Sequence, residues 1–233
     1  MIIRITGLIL RPVLLFYAVC ILFCDGWSQQ NNFRMRADIS MKQKSADSSF
    51  QLVIGKVYYD VNFKKTVYEI TFPQRETWVI QDTVLYRFSN DKPIGKSSYP
   101  NVSEFSIFHL SLNNNLQNFG LEKSPFKMVK TEQTGGMVIS TWQAPKTMQK
   151  FISYILLSKK DGKLTGVVFK DAKGDVSMKQ FFKNYNQIKG FSFPGELIQL
   201  NYKNKKETYR ITTFKNIVLN ENGNEQEYNH PVY

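Results

Sequence analysis

The side chains that carry most enzymatic chemistry are scarce in this chain. There are two imidazoles, His109 and His230, and two thiols, Cys20 and Cys24. Acid–base catalysis, a nucleophilic triad and a nitrogen-ligated metal all need such groups gathered at one place. His109 falls on the apolar stripe of a helical segment and His230 near the end of the chain, so neither a triad nor a His-based metal site is easily built. Paired carboxylates are the other acid–base signature. Glu69, Glu76 and Asp82 sit in short strands and links, where no spacing demands pairing. The glycines at 120, 135, 136, 162, 174, 190 and 195 fall at turns or strand ends, and none opens a phosphate-binding loop. The expected catalytic set is therefore empty, with no metal and no cofactor.

Both cysteines lie in a segment that reads as an export signal over residues 1–28. Arg4 belongs to a short basic start, an apolar run extends from Pro12 to Phe23, and Gly26 and Ser28 are small residues before a cut. The run is shorter than the roughly 20 apolar residues a membrane helix needs. Cleavage near Ser28 leaves a chain without thiols. The alternative is a lipid anchor at Cys24, which would make the protein an outer-membrane lipoprotein receptor; the bulky Phe23 directly before that cysteine argues against it. The net charge of +12 fits either a solvated basic surface or attraction to anionic headgroups or an acidic partner. Nucleic acid fits poorly, because the lysines are scattered and the chain reads as exported.

The elements that would position any site are mostly strands. One segment is helical in its spacing: Ser103 to Leu116, with Phe105, Phe108, His109 and Leu112 recurring at three and four residues, Ser103 as a cap and Asn113 to Asn115 as a stop. Around it the chain alternates with period two. FRMRADISMKQK from Phe33 reads as a strand with one wet face, and SFQLVIGKVYYDV as a strand that bends at Gly55. TVYEITF, ended by Pro73, TWVIQ and TVLYRF follow as a meander, and Asn90 to Pro100 reads as a loop. After the helix, Gly135-Gly136 and Asp161-Gly162 mark two hairpins. VSMKQFFKNYNQI suits a helix as well as a bulged strand and is assigned as a strand from its hairpin neighbourhood. Two more strands end near Asn220. The expectation is a mainly β fold of about eleven antiparallel strands in one domain, residues 29–220, with a helix on the concave face. A loose polar tail, residues 221–233, follows.

The chain holds 18 Phe, 12 Tyr and 3 Trp, and most of these are expected in a core. Tyr58, Tyr68, Phe72, Trp78, Tyr86 and Phe88 nonetheless read as an aromatic wall. If wall and helix do not interdigitate fully, the space between them is an apolar cavity of the kind that accepts acyl chains. Each buried methylene would contribute roughly 0.8 kcal/mol.

Residues 55–88, GKVYYDVNFKKTVYEITFPQRETWVIQDTVLYRF, resemble the opening strands of the periplasmic lipoprotein carriers, the LolA and LolB-like proteins. GFSFPGELIQLNY and ETYRITTFKNIVLN are similar to that family's closing strands. The resemblance implies a half-barrel closed by helices, and a monomeric, non-catalytic periplasmic carrier. Acyl chains of lipoproteins or lipids would pass in it from an inner-membrane donor complex to an outer-membrane acceptor. It assigns Tyr58, Tyr68, Ile70, Phe72, Trp78, Tyr86 and Phe88 to the interior, with Phe105, Phe108 and Leu112 as the lid. One departure stands out. Where the family commonly has an arginine after the second strand, this chain reads Asn62-Phe63-Lys64-Lys65, and lysine lacks the planar fork of donors. The same scaffold with a filled interior would instead serve as an interaction or sensor protein of the envelope.

Overall fold

The computed structural model describes residues 33–45, 47–99, 106–203 and 206–232. The expected leader with Cys20 and Cys24 lies outside the described residues, as do Ser103 and Phe105.

Period-two alternation builds one sheet. In β1 (Arg34–Lys44), Met35, Ala37 and Ile39 turn inward and are buried. They stand opposite Tyr59, Val57 and Gly55 of β2 (Phe50–Asp60). Gly55 sits where the pairing with the next strand shifts register, and a Cβ there would collide with the Glu69 carbonyl oxygen. Only glycine lets the two backbones approach so closely at this bend. The meander continues through β3 (Lys65–Phe72), β4 (Glu76–Gln81) and β5 (Val84–Ser89). The segment expected as a loop forms a further strand, β6 (Lys92–Ser98), paired with β5. Every residue of β6 is exposed, as suits an edge strand: Pro93 and the lysines are tolerated there because one side of the ladder faces water.

Helix α1 (Ile107–Leu112) is shorter than its apolar stripe suggested. Ser106 is its cap, accepting from the His109 amide at 3.2 Å, and Asn114 adopts a left-handed conformation beyond its end. The chain then makes two single 3₁₀ turns, Leu116–Asn118 and Leu121–Lys123. The second half is another meander: β7 (Lys127–Thr134), β8 (Met137–Gln143), β9 (Tyr154–Lys160), β10 (Lys163–Lys170), β11 (Val176–Ile188), β12 (Phe191–Lys203) and β13 (Lys206–Leu219). The ambiguous segment is therefore a strand, β11, with Asn184 at positive φ.

Pairing of β13 with β1 joins the two meanders into one thirteen-stranded antiparallel sheet whose edges are β6 and β7. The sheet is an open half-barrel. Its main core lies on the concave face, where Phe108, Leu110 and Leu112 of α1 meet Tyr59, Phe193 and Phe214.

A second, smaller cluster occupies the convex face and corrects the expectation of a loose tail. Helix α2 (Glu225–Tyr228) brings Tyr228, fully buried, against Tyr58 with ring centroids 5.4 Å apart. Arg34 is the clasp: its Nε donates to buried Asp60 at 2.9 Å and its two Nη groups donate to Glu225 at 2.8 and 2.9 Å. The Tyr228 hydroxyl donates to Glu221, which also pairs with Arg36. A polar composition hid these specific partners, which depend on side chains far away in sequence.

Candidate functional site

Strand alternation decides which residues of β2 to β5 face the interior. Tyr59 pairs with Thr66 and Thr66 with Ile80, while Val57 pairs with Tyr68 and Tyr68 with Trp78, and these rows project to the concave side. The intervening row, Tyr58, Val67, Val79 and Tyr86, projects to the convex side.

Between the concave face and the segment around α1 lies a cavity of about 400 Å³. Thr66, Tyr68 and Ile80 line it from one flank, and Ile155, Phe169 and Phe182 from the other. Leu197, Thr212 and Phe214 form part of its floor, with Ile107, Phe108, Phe119 and Phe126 facing them. Space remains because the covering segment packs at one end. Phe108 stacks on Tyr59 and Phe193 at 6.0 Å each and meets Phe214 edge-on at 5.7 Å, leaving the region toward Tyr68 and Arg210 open.

The residues expected at the site divide accordingly. Tyr68 and Phe108 line the cavity. Ile70, Trp78 and Leu112 belong to or pack against the same core without lining it. The Trp78 indole donates to Glu76 at 2.6 Å and lies 5.9 Å from the Arg87 guanidinium. Phe72, at 47% exposure, stands at the sheet margin. Tyr58, Tyr86 and Phe88 pack in the convex cluster under the tail, so the wall expected as one surface is two. Tyr58 and Tyr68 are ten positions apart in sequence but project from opposite faces, because they sit in adjacent rows of the ladder. Phe105 lies outside the described residues.

The groups considered for chemistry are dispersed. The His109 Nδ1 shares a 2.7 Å hydrogen bond with the Tyr59 hydroxyl. Glu69 accepts from the Tyr58 hydroxyl on the convex side, Glu76 is held by Arg87 and Trp78, and Asp82 sits in the β4–β5 turn. His230 packs on Phe88 at 4.7 Å. Lys65, in the stretch matched to the family's arginine, donates to Asn229 and to the His230 carbonyl of the tail.

Sequence reasoning missed Arg210, the one charged residue lining the cavity among the described residues. Its Nε and Nη2 donate to the Gln43 side-chain oxygen at 3.1 and 2.9 Å. The signal was available: Arg210 shares its face of β13 with Thr212 and Phe214, so a charge stands in an inward series. Nearby, Tyr68 has its phenol ionisation pushed well up, chiefly by removal from water, with Tyr99 adding and Arg210 opposing.

No family model and no curated protein matches the chain. Solved structures do. A DUF1329 family protein from Desulfovibrio piger aligns with TM-score 0.59 at 13% identity over 94% of this chain and 98% of that one. A putative outer membrane lipoprotein-sorting protein domain from Vibrio parahaemolyticus aligns at 0.58 and 14%, over 92% and 95%. A LolA superfamily protein from Nitrosomonas europaea aligns at 0.54 and 12%, over 84% and 90%. The chain has the LolA-like fold, an open half-barrel over most of its described length.

Proposed function

We propose that this protein is a non-catalytic carrier of the periplasm, which holds acyl chains of lipids or lipoproteins in the half-barrel and hands them toward the outer membrane. The observation that carries the reading is the cavity of about 400 Å³ walled largely by aromatic and aliphatic side chains. Its size falls within the ~300–1,000 Å³ typical of small-molecule pockets. An acyl chain in it gains roughly 0.8 kcal/mol per methylene removed from water. The leader-like residues 1–28 agree with export, and one structure with this fold is described as a putative lipoprotein-sorting domain. Donor and acceptor complexes at the two membranes belong to the same reading.

Uptake of an apolar fluorescent probe by the purified protein tests it. Saturable uptake with displacement by a long-chain lipid is the expected result. No uptake overturns the carrier and leaves a filled scaffold that acts through its surface.

A further inference from the structure

The cavity is not uniformly apolar: beside several hydroxyls it is lined by Arg210, Gln199 and Gln180, which fall in one row with Gln43, a residue outside the lining. Gln43 of β1, Arg210 of β13, Gln199 of β12 and Gln180 of β11 are successive cross-strand partners on the concave face. Two residues further along each strand the row reads Met41, Thr212, Leu197 and Phe182, and beyond Thr212 comes Phe214. Adjacent rows on one face lie roughly 7 Å apart along the strands. The floor thus passes within two steps from a cation flanked by amides to aromatic rings. The Phe108 end is the apolar one, and the β12–β13 hairpin lies beyond the polar one.

Two of the described arginines, Arg75 and Arg210, stand apart from the ion pairs, and of these Arg75 is exposed to water whereas Arg210 is half-buried. Arg34, Arg36 and Arg87 each pair with a carboxylate. Among the described residues Arg210 has no carboxylate partner and uses Nε and Nη2 on Gln43, which leaves Nη1 with no acceptor there. The amide of Gln180, buried, reaches only the Met178 sulfur at 3.7 Å, and the side chain of Gln199 and the hydroxyl of Tyr68 make no hydrogen bond among the described residues. Half-buried between apolar walls, a guanidinium without a counter-charge is costly, and it is well shaped to grip a carboxylate or phosphate with two parallel hydrogen bonds.

Building on the carrier reading, we propose that Arg210 is a headgroup subsite: the cargo is an amphiphile whose anionic head, carboxylate or phosphate, pairs with Arg210. Gln199, Gln180 and the Tyr68 hydroxyl complete the hydrogen bonding of the head, and the chain runs toward Phe108 and Phe214. The Gln43 contact sets the plane of the guanidinium so that its free edge meets the head.

The test measures displacement of an apolar fluorescent probe from the delipidated protein by hexadecanoate, hexadecyl phosphate and hexadecanol. Arg210→Met and Arg210→Lys variants are compared with wild type. Wild type is expected to bind at least one anion about tenfold or more tightly than the alcohol, as a charge-assisted hydrogen-bonded pair implies. The tighter anion identifies the head as carboxylate or phosphate. Arg210→Met is expected to bind the anions no more tightly than the alcohol, and Arg210→Lys to keep part of the preference. Equal binding of anions and alcohol by wild type overturns the subsite and leaves the carrier standing, without depending on any variant. A preference that survives in Arg210→Met also overturns it. Absence of probe uptake overturns both readings together.

Discussion

The Tyr59 hydroxyl and the His109 Nδ1, 2.7 Å apart, tie helix α1 to the floor of the sheet. Tyr59 is fully buried and its ring stacks on Phe108, so this polar link is set within aromatic contacts. Tyr59→Phe keeps the ring and removes the link. A loss of about 1 kcal/mol is expected, with faster amide exchange confined to residues 107–112. Thermal melting and hydrogen exchange measure the two, and unchanged exchange would mean that the helix does not depend on this bond.

An open cavity and a packed core respond oppositely to added volume. Leu197, on the cavity floor, is the position for the test. In an open cavity, Leu197→Trp fills space, so probe binding should fall about tenfold or more while the melting temperature holds or rises. In a filled core the same change overpacks and destabilises by about 1–3 kcal/mol.

The two faces of β4 and β5 should separate function from stability. Ile80 lines the cavity and Tyr86 packs on the convex cluster. Ile80→Gln places an amide in the apolar wall, and weaker probe retention is expected. Tyr86→Gln should lower stability and leave retention unchanged. Equal losses of retention would contradict the assignment of faces.

That division shows why the fold was more legible than the site. Alternation in Met35, Ala37 and Ile39, the Asp161-Gly162 turn and the bend at Gly55 are local signals, and each appears in the structure where it was expected. Strand β6 escaped because an edge strand needs no apolar face, and Lys92-Pro93 reads as a loop. The site depends on register between strands. Aromatics such as Tyr58 and Tyr68 look equivalent along the chain, and only the pairing across β2 and β3 sends them to opposite faces. Arg210 was legible only as an oddity of its own strand; the row it forms with Gln43, Gln199 and Gln180 comes from four strands of both meanders.

The tail clasp should respond to acid. The hydrogen bond from Arg34 holds the Glu225 carboxyl below its ordinary 4.5, with desolvation opposing. A depressed carboxyl contributes stability that is present above its unfolded value and lost as the pH falls through the folded one. Wild type should therefore melt above Glu225→Gln at neutral pH, and the two should converge as the pH drops below about 4.5. A gap that persists in acid would show that the clasp does not rest on this charge.

Mass tests the carrier role. The protein, purified from its own cells under mild conditions, is weighed in its native state and again after denaturation. A carrier should lose a discrete mass matching a lipid or an acylated peptide, released together with unfolding. Identical masses, combined with failure to take up the apolar probe, would rule out a carrier and make the cavity's aromatic lining an ordinary core.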